Sequence, residues 1–151
     1  MTARSKATLL FGLCVWAALM GSCQYSLDLW VIPGSTAENL VFGFAGSRKG
    51  EEKVRPQSIR VFTCEAVKKA AGQPGEAEAL WQAEVPQGGS AEPVNRITYG
   101  RGEHGLETRR GPSPLAAGCY AAFAYGRDER DDLRAAGLRF EVKKDGKVIE
   151  R

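Results

Sequence analysis

The feature that most constrains the fold is an alternation of apolar and polar residues with a period of two. Between positions 138 and 143, Leu138, Phe140 and Val142 alternate with charged residues. This pattern is typical of a strand with one buried face and one solvated face. Similar segments bounded by Gly, Pro, Asn or Asp predict strands at 27–32, 40–45, 59–64, 80–85, 96–99, 119–125 and 138–143.

About seven short strands with frequent turn residues predict an all-β fold, an immunoglobulin-like or transthyretin-like β-sandwich, and leave the choice of topology open. Asp145-Gly146 predicts a type I′ turn and a short return strand over 147–150. One short helix is predicted over 65–71, since Gly72 and Pro74 follow it. The segments 46–56 and 100–117 are polar and predict long loops.

The first 22 residues have the three parts of a secretory signal peptide. Arg4 and Lys6 precede an apolar run over 7–20, and small residues follow it. The run is 14 residues long. A membrane-spanning helix needs about 20 apolar residues, so an uncleaved anchor is disfavoured.

The sequence Met20-Gly21-Ser22-Cys23 resembles the lipobox of bacterial lipoproteins, with Met in place of the usual Leu and Ser in the last small position. The resemblance implies that Cys23 is acylated and becomes the first mature residue, so the partner is a membrane reached through a lipid anchor. It also implies that Gln24 permits sorting to the outer membrane, facing the periplasm. The alternative is an ordinary signal peptide cut near Ser22, which would release a soluble exported domain.

The predicted organisation is a lipoprotein signal peptide over 1–22, the lipid-attachment cysteine with a short tether over 23–26, and one β-sandwich domain over 27–151. A mature chain of 129 residues is the usual length of a single domain. Removing Arg4 and Lys6 leaves 19 basic and 18 acidic side chains. This near balance argues against a nucleic-acid partner.

The cysteine count predicts one disulfide. Cys14 leaves with the signal and Cys23 takes the lipid, so Cys64 and Cys119 remain in an oxidising compartment. Cys64 ends one predicted strand and Cys119 begins another, so in antiparallel neighbours the bond would join two strands at the rim of a sheet. The alternatives are two free thiols or a metal pair, with His104 as a further soft ligand.

Several short motifs resemble a group of short, uncharacterised bacterial lipoproteins. They are Cys64, Leu80-Trp81, Ile97-Thr98-Tyr99-Gly100, Pro114-Leu115 before Gly118-Cys119-Tyr120, and a final strand centred on Phe140. The resemblance covers 59–148, and it implies a compact domain with a disulfide and no particular activity. A weaker likeness to the lipoprotein of the type VI secretion membrane complex rests on Val54-Arg55-Pro56 leading into Ile59-Arg60-Val61.

No residue pattern predicts an enzyme, a metal site or a cofactor. His104 lies in a Gly-rich loop, and Ser113 lacks the context of a nucleophile elbow. The acidic run, in which basic residues are interspersed, predicts a solvated loop rather than a calcium site; it contains Asp128, Glu129, Asp131 and Asp132.

Four arginines, Arg96, Arg101, Arg109 and Arg110, are predicted to be scattered surface residues and not one patch. Three large aromatic residues either pack in the core or mark an exposed binding spot, and core packing is predicted because such side chains are mostly buried. They are Trp30, Phe62 and Tyr120.

Taken together, the sequence predicts a lipid-anchored protein of the bacterial envelope with a binding or scaffolding role, a protein partner and no catalysis of its own. The alternative is a structural lipoprotein subunit of an envelope secretion or export complex.

Overall fold

The computed structural model describes residues 27–46, 52–71, 75 and 78–151. The predicted signal peptide over 1–22 and the tether over 23–26 therefore lie outside the described residues. Among the residues that are described, no helix is long and apolar enough to cross a bilayer. The elements of this part of the chain are, in order, β1 Asp28–Val31, β2 Val41–Ala45, β3 Arg55–Thr63, α1 Cys64–Lys69, β4 Trp81–Glu84, β5 Arg96–Thr98, β6 Glu107–Arg110, β7 Gly118–Arg127, β8 Leu133–Val142 and β9 Val148–Glu150.

Within the described ranges the strands form two antiparallel sheets. The small sheet has the order β1-β2-β5, and the large sheet has the order β6-β4-β3-β7-β8-β9. The apolar residues of both sheets meet in one buried cluster. The predicted all-β sandwich is confirmed, and its alternating strands place one face of each sheet in the core.

Aromatic rings join the two sheets at the centre of this core. The ring of Phe140 stacks on that of Tyr120, with centroids 5.5 Å apart, and meets the edge of Phe42 at 5.8 Å. Phe140 and Phe42 are completely buried. Phe42 belongs to the small sheet and Phe140 to the large one, so this contact fixes the sheets against each other.

A second, smaller cluster covers part of the outer face of the large sheet. Helix α1 follows β3 directly, and the Thr63 hydroxyl caps it by accepting a hydrogen bond from the Ala66 amide at 3.1 Å. Val67 of this helix packs with Phe62 and Ala121 on the outer face. The helix predicted over 65–71 is thus present, although it begins at Cys64 and ends at Lys69.

Three strands differ from the prediction by more than two residues at one end or were not predicted at all. Strand β6 lies inside the segment predicted as a loop; it is an edge strand with four exposed residues, so it has no apolar alternation. Strand β3 begins at Arg55, because a register shift between Pro56 and Ser58 lets its polar start pair with β7. Strand β8 begins at Leu133, since ladder bonds to β7 extend it beyond its buried half.

The turn before β9 also differs from the prediction. The return strand is present over Val148–Glu150. The amide of Gly146 donates to the carbonyl of Lys143 at 2.9 Å, and Gly146 has a φ of 85° while Asp145 has no positive φ. A type I′ turn needs positive φ at both central residues, so this hairpin instead has a longer loop closed by a glycine in the left-handed region.

The three predicted core aromatics have different surroundings. Tyr120 is in the main core and Phe62 is in the cluster under α1. Trp30 is half-buried on the outer face of the small sheet, where its indole lies on Gly43, its partner across β1 and β2. A Cβ at Gly43 would come within 2.0 Å of the Trp30 ring, so only glycine leaves space for it. The prediction that Trp30 packs in the core was wrong. Its ring packs against the backbone of Gly43 on the outer face of the small sheet instead.

Candidate functional site

Cys64 and Cys119 form the predicted disulfide. In the β3–β7 ladder Thr63 pairs with Tyr120, so the next position places the two cysteines opposite each other. Their Cα atoms are 5.3 Å apart, within the usual range for this bond. The bond joins the first residue of α1, directly after β3, to the neighbouring strand β7 at the rim of the large sheet. The two sulfur atoms are bonded to each other, so neither is a free thiol.

His104 lies between two carboxylates. Its Nδ1 is 3.8 Å from the Glu92 carboxylate and its Nε2 is 3.9 Å from that of Glu103. With Lys53 and Arg96, it lines one wall of a shallow surface cleft. Both ring nitrogens thus face acids on the surface, and the two sulfur atoms of the disulfide are not among the groups that line this cleft.

The acidic run forms the β7–β8 turn, and its first residue is buried. The Asp128 carboxylate accepts hydrogen bonds from the amides of Arg130 at 2.9 Å and Asp132 at 3.0 Å. It also lies 2.5 Å from the Arg134 guanidinium. Burial alone raises the pKa of Asp128, but the two amides and Arg134 outweigh it and hold the pKa below its ordinary value.

Asp131 makes a different, exposed contact. Its carboxylate pairs with Arg55 at the start of β3, at 2.5 Å, and its backbone carbonyl accepts from Arg127 at 2.9 Å. Its φ of 64° lies in the left-handed region, which Asp and Asn tolerate better than most residues. Within the described part of the chain, no group of three or more His, Cys, Asp or Glu side chains is placed to hold a metal ion. The carboxylates of Asp128 and Asp131 connect the β7–β8 turn to β8 and to β3, respectively.

Replacing Asp128 by asparagine should destabilise the fold by about 2 kcal/mol, because the Arg134 guanidinium would lose its buried charged partner. The depressed pKa means that this stabilisation is complete above the ordinary value of 3.8 and is lost as the pH falls through the lower folded-state value. Urea unfolding of Asp128→Asn and the parent protein at pH 7 and at strongly acidic pH should show the difference at pH 7 only.

The matched control is Asp131→Asn. This residue is in the same turn, also pairs with an arginine, and has a side chain that is 68% exposed. Exposed pairs contribute about 0–1 kcal/mol, so the change should be small at either pH. Equal losses from the two variants would contradict the structural role given to Asp128.

The four arginines are not all in one element. Arg96 is in the small sheet, whereas Arg109 and Arg110 are in the edge strand β6 of the large sheet. Arg109 lies 3.2 Å from the Glu84 carboxylate on the neighbouring strand. Arg101 follows β5.

Leu27 and strand β1 lie against the free edge of β8 and against β9. The amide of Leu27 donates to the carbonyl of Ala135 at 3.2 Å, and the amide of Val31 donates to the Glu150 carboxylate at 2.6 Å. Strand β9 pairs only with residues 140–142 of β8, which leaves the first half of β8 open to this contact. Position 27 is therefore held beside the β7–β8 turn.

An apolar surface adjoins this point on the outer face of the large sheet. Leu133 is 56% exposed and Tyr125 is 45% exposed, the largest values among the big apolar side chains described. Tyr125 pairs with Ala135, and the Phe123 ring lies over Gly137 on the next rung. We call the set Phe123, Tyr125, Leu133, Ala135 and Gly137 the Leu133 patch.

Sequence reasoning missed this patch because no strand was predicted between the acidic run and position 138. The period-two pattern of 138–143 does not extend to this set, because Leu133 and Ala135 are in phase with the charged residues Arg139 and Glu141 and not with Leu138 and Phe140. Pairing of β8 with β7 along ten positions places this second set on the outer face. The patch is the candidate interaction surface.

Comparisons of the chain with protein-family models, with curated proteins and with solved structures found no match.

Proposed function

We propose that this protein is a lipid-anchored component of the bacterial envelope, attached through Cys23, whose β-sandwich has a binding or scaffolding role and no catalysis. The observation that supports this most is the Cys64–Cys119 disulfide, which fits an exported protein. It accounts for two of the four cysteines. Cys14 falls within the predicted signal and Cys23 stands at its end.

The position of Cys23 also supports an anchor. Strand β1 begins at Asp28, five residues after it. Several acyl chains on one residue bind a bilayer firmly, because each buried methylene adds about 0.8 kcal/mol. Such a short connection would hold the sandwich at the membrane surface.

The contacts of the reactive side chains support a non-catalytic role. The two sulfur atoms are joined to each other, His104 faces Glu92 and Glu103, and Asp128 is bound by Arg134 and two backbone amides. Each group thus has a structural contact. An exposed apolar surface on a rigid sheet is the feature that fits a binding or scaffolding protein.

Labelling with an alkyne fatty acid in the producing bacterium tests the proposal. The parent protein should incorporate the label and remain with the membranes until detergent is added, whereas Cys23→Ala should incorporate none. Cys14→Ala is the matched control, because it removes the other cysteine of the predicted signal region and should label like the parent. An unlabelled parent protein, or equal labelling of Cys23→Ala, would overturn the proposal.

A further inference from the structure

We propose that the Leu133 patch rests in the headgroup region of the bilayer that holds Cys23, so that the sandwich binds the lipid surface with its own side chains. This inference rests on the proposed anchor. The surface that it assigns is the outer face of the large sheet at the β7–β8 turn, and the partner is the lipid bilayer itself.

The covalent chain brings the patch close to the anchor. Cys23 is four residues from Leu27, and an extended chain of that length spans at most about 14 Å. The Leu27 amide is hydrogen-bonded to Ala135, a member of the patch. Leu133 is two residues further along β8, about 7 Å away. An acyl chain in the hydrocarbon core therefore keeps Leu133 and Tyr125 close to the interface.

The side chains in the patch suit that position. Tyrosine is enriched at the level of lipid headgroups, where its ring is buried and its hydroxyl remains hydrated. Leu133 adds aliphatic surface at the start of β8, and Ala135, which pairs with Tyr125, is also exposed. The exposed apolar residues thus form one contiguous surface at the anchored end.

Charge does not explain the contact. The turn beside the patch contains Arg127, Arg130 and Arg134, but also Asp128, Glu129, Asp131 and Asp132. Its charges nearly balance, so the turn itself is only weakly attracted to anionic lipid. The contact should therefore form on zwitterionic as well as on anionic bilayers.

The chain contains a matched control position. Ile149 is 42% exposed and pairs with Glu141, which places it on the same outer face as Leu133. Glu141 is eight residues along β8 from Leu133, a distance of about 26 Å. Ile149 therefore has a similar exposure and chemistry but lies at the opposite end of the sheet.

Nitroxide accessibility on the acylated protein tests the inference. Leu133→Cys, Tyr125→Cys and Ile149→Cys are each spin-labelled after purification, with Cys64–Cys119 oxidised, and reconstituted into phosphatidylethanolamine/phosphatidylglycerol or phosphatidylcholine vesicles. The measured quantity is the ratio of the nitroxide's collision rate with oxygen to its collision rate with a water-soluble nickel chelate. This ratio should be several-fold higher at positions 133 and 125 than at position 149. The difference should be similar in both vesicle types.

Each other outcome overturns the inference in a recognisable way. Vesicle-bound protein with water-like probes at 133 and 125 leaves the anchor intact and refutes the contact. Probes shielded from both oxygen and nickel indicate a second copy or another protein on the patch. A difference that vanishes in phosphatidylcholine indicates electrostatic attachment. Protein that does not float with vesicles, and whose Cys23 thiol is free to react with the nitroxide spin label, refutes the anchor as well.

Discussion

Phe140→Ala should destabilise the domain by about 4 kcal/mol, the usual cost of truncating a fully buried phenylalanine. Phe140 has no exposed surface, and its ring contacts Tyr120 of the large sheet and Phe42 of the small one. Removing it would leave a cavity at the contact between the sheets, where the rigid strands can collapse only in part. Urea unfolding followed by tryptophan fluorescence measures the loss.

The control for this variant is Tyr125→Ala, an aromatic truncation on the neighbouring strand β7. Tyr125 faces outward and is 45% exposed, so the cost should stay below about 1 kcal/mol. Similar losses at the two positions would show that the sheets do not meet at Phe140 as described.

Removing the disulfide should have an effect of comparable size. The bond joins residues 55 apart in sequence, and opening a loop of that size costs about 4 kcal/mol in the chain-entropy model. The double variant Cys64→Ala/Cys119→Ala is preferred, because a single change would leave a reactive thiol. Thermal unfolding of the double variant should show a clearly lower melting temperature than that of the oxidised parent.

The parent protein in reductant provides the comparison for the double variant. Both lack the same cross-link, so both should unfold at nearly the same temperature. A parent protein that is insensitive to reductant would show that the bond does not constrain the unfolded chain, and would contradict its place in this account.

Among the predicted strands, β8 shows how an alternation of apolar and polar residues predicts a buried face. In β8, Phe140 and Val142 are buried and Arg139 and Glu141 are not fully buried, as the pattern requires. The disulfide was predictable for a related reason, since strand ends and starts place Cys64 opposite Cys119 in antiparallel neighbours. Local patterns predict structure where one face is buried.

The remaining features depend on contacts between distant residues. Strand β6 is entirely exposed and exists because it pairs with β4, so no apolar period marks it. The same holds for Trp30, whose position depends on Gly43 across the sheet, and for Leu27, which contacts Ala135 more than a hundred residues away. The Leu133 patch depends on the pairing of β8 with β7 over the full length of β8, and its position beside Leu27 depends on the contact with Ala135. The residue pattern of a single strand determines neither.

The most direct test of the central claim, a lipid-anchored sandwich with one disulfide, is the intact mass of the membrane-extracted protein before and after reduction. The account predicts a mature chain that begins at Cys23 and has three acyl chains, and that gains two hydrogens when Cys64–Cys119 is reduced. A chain without acyl groups and with free thiols would contradict it, and would make Cys64 and Cys119 candidates for reactive or metal-binding residues again.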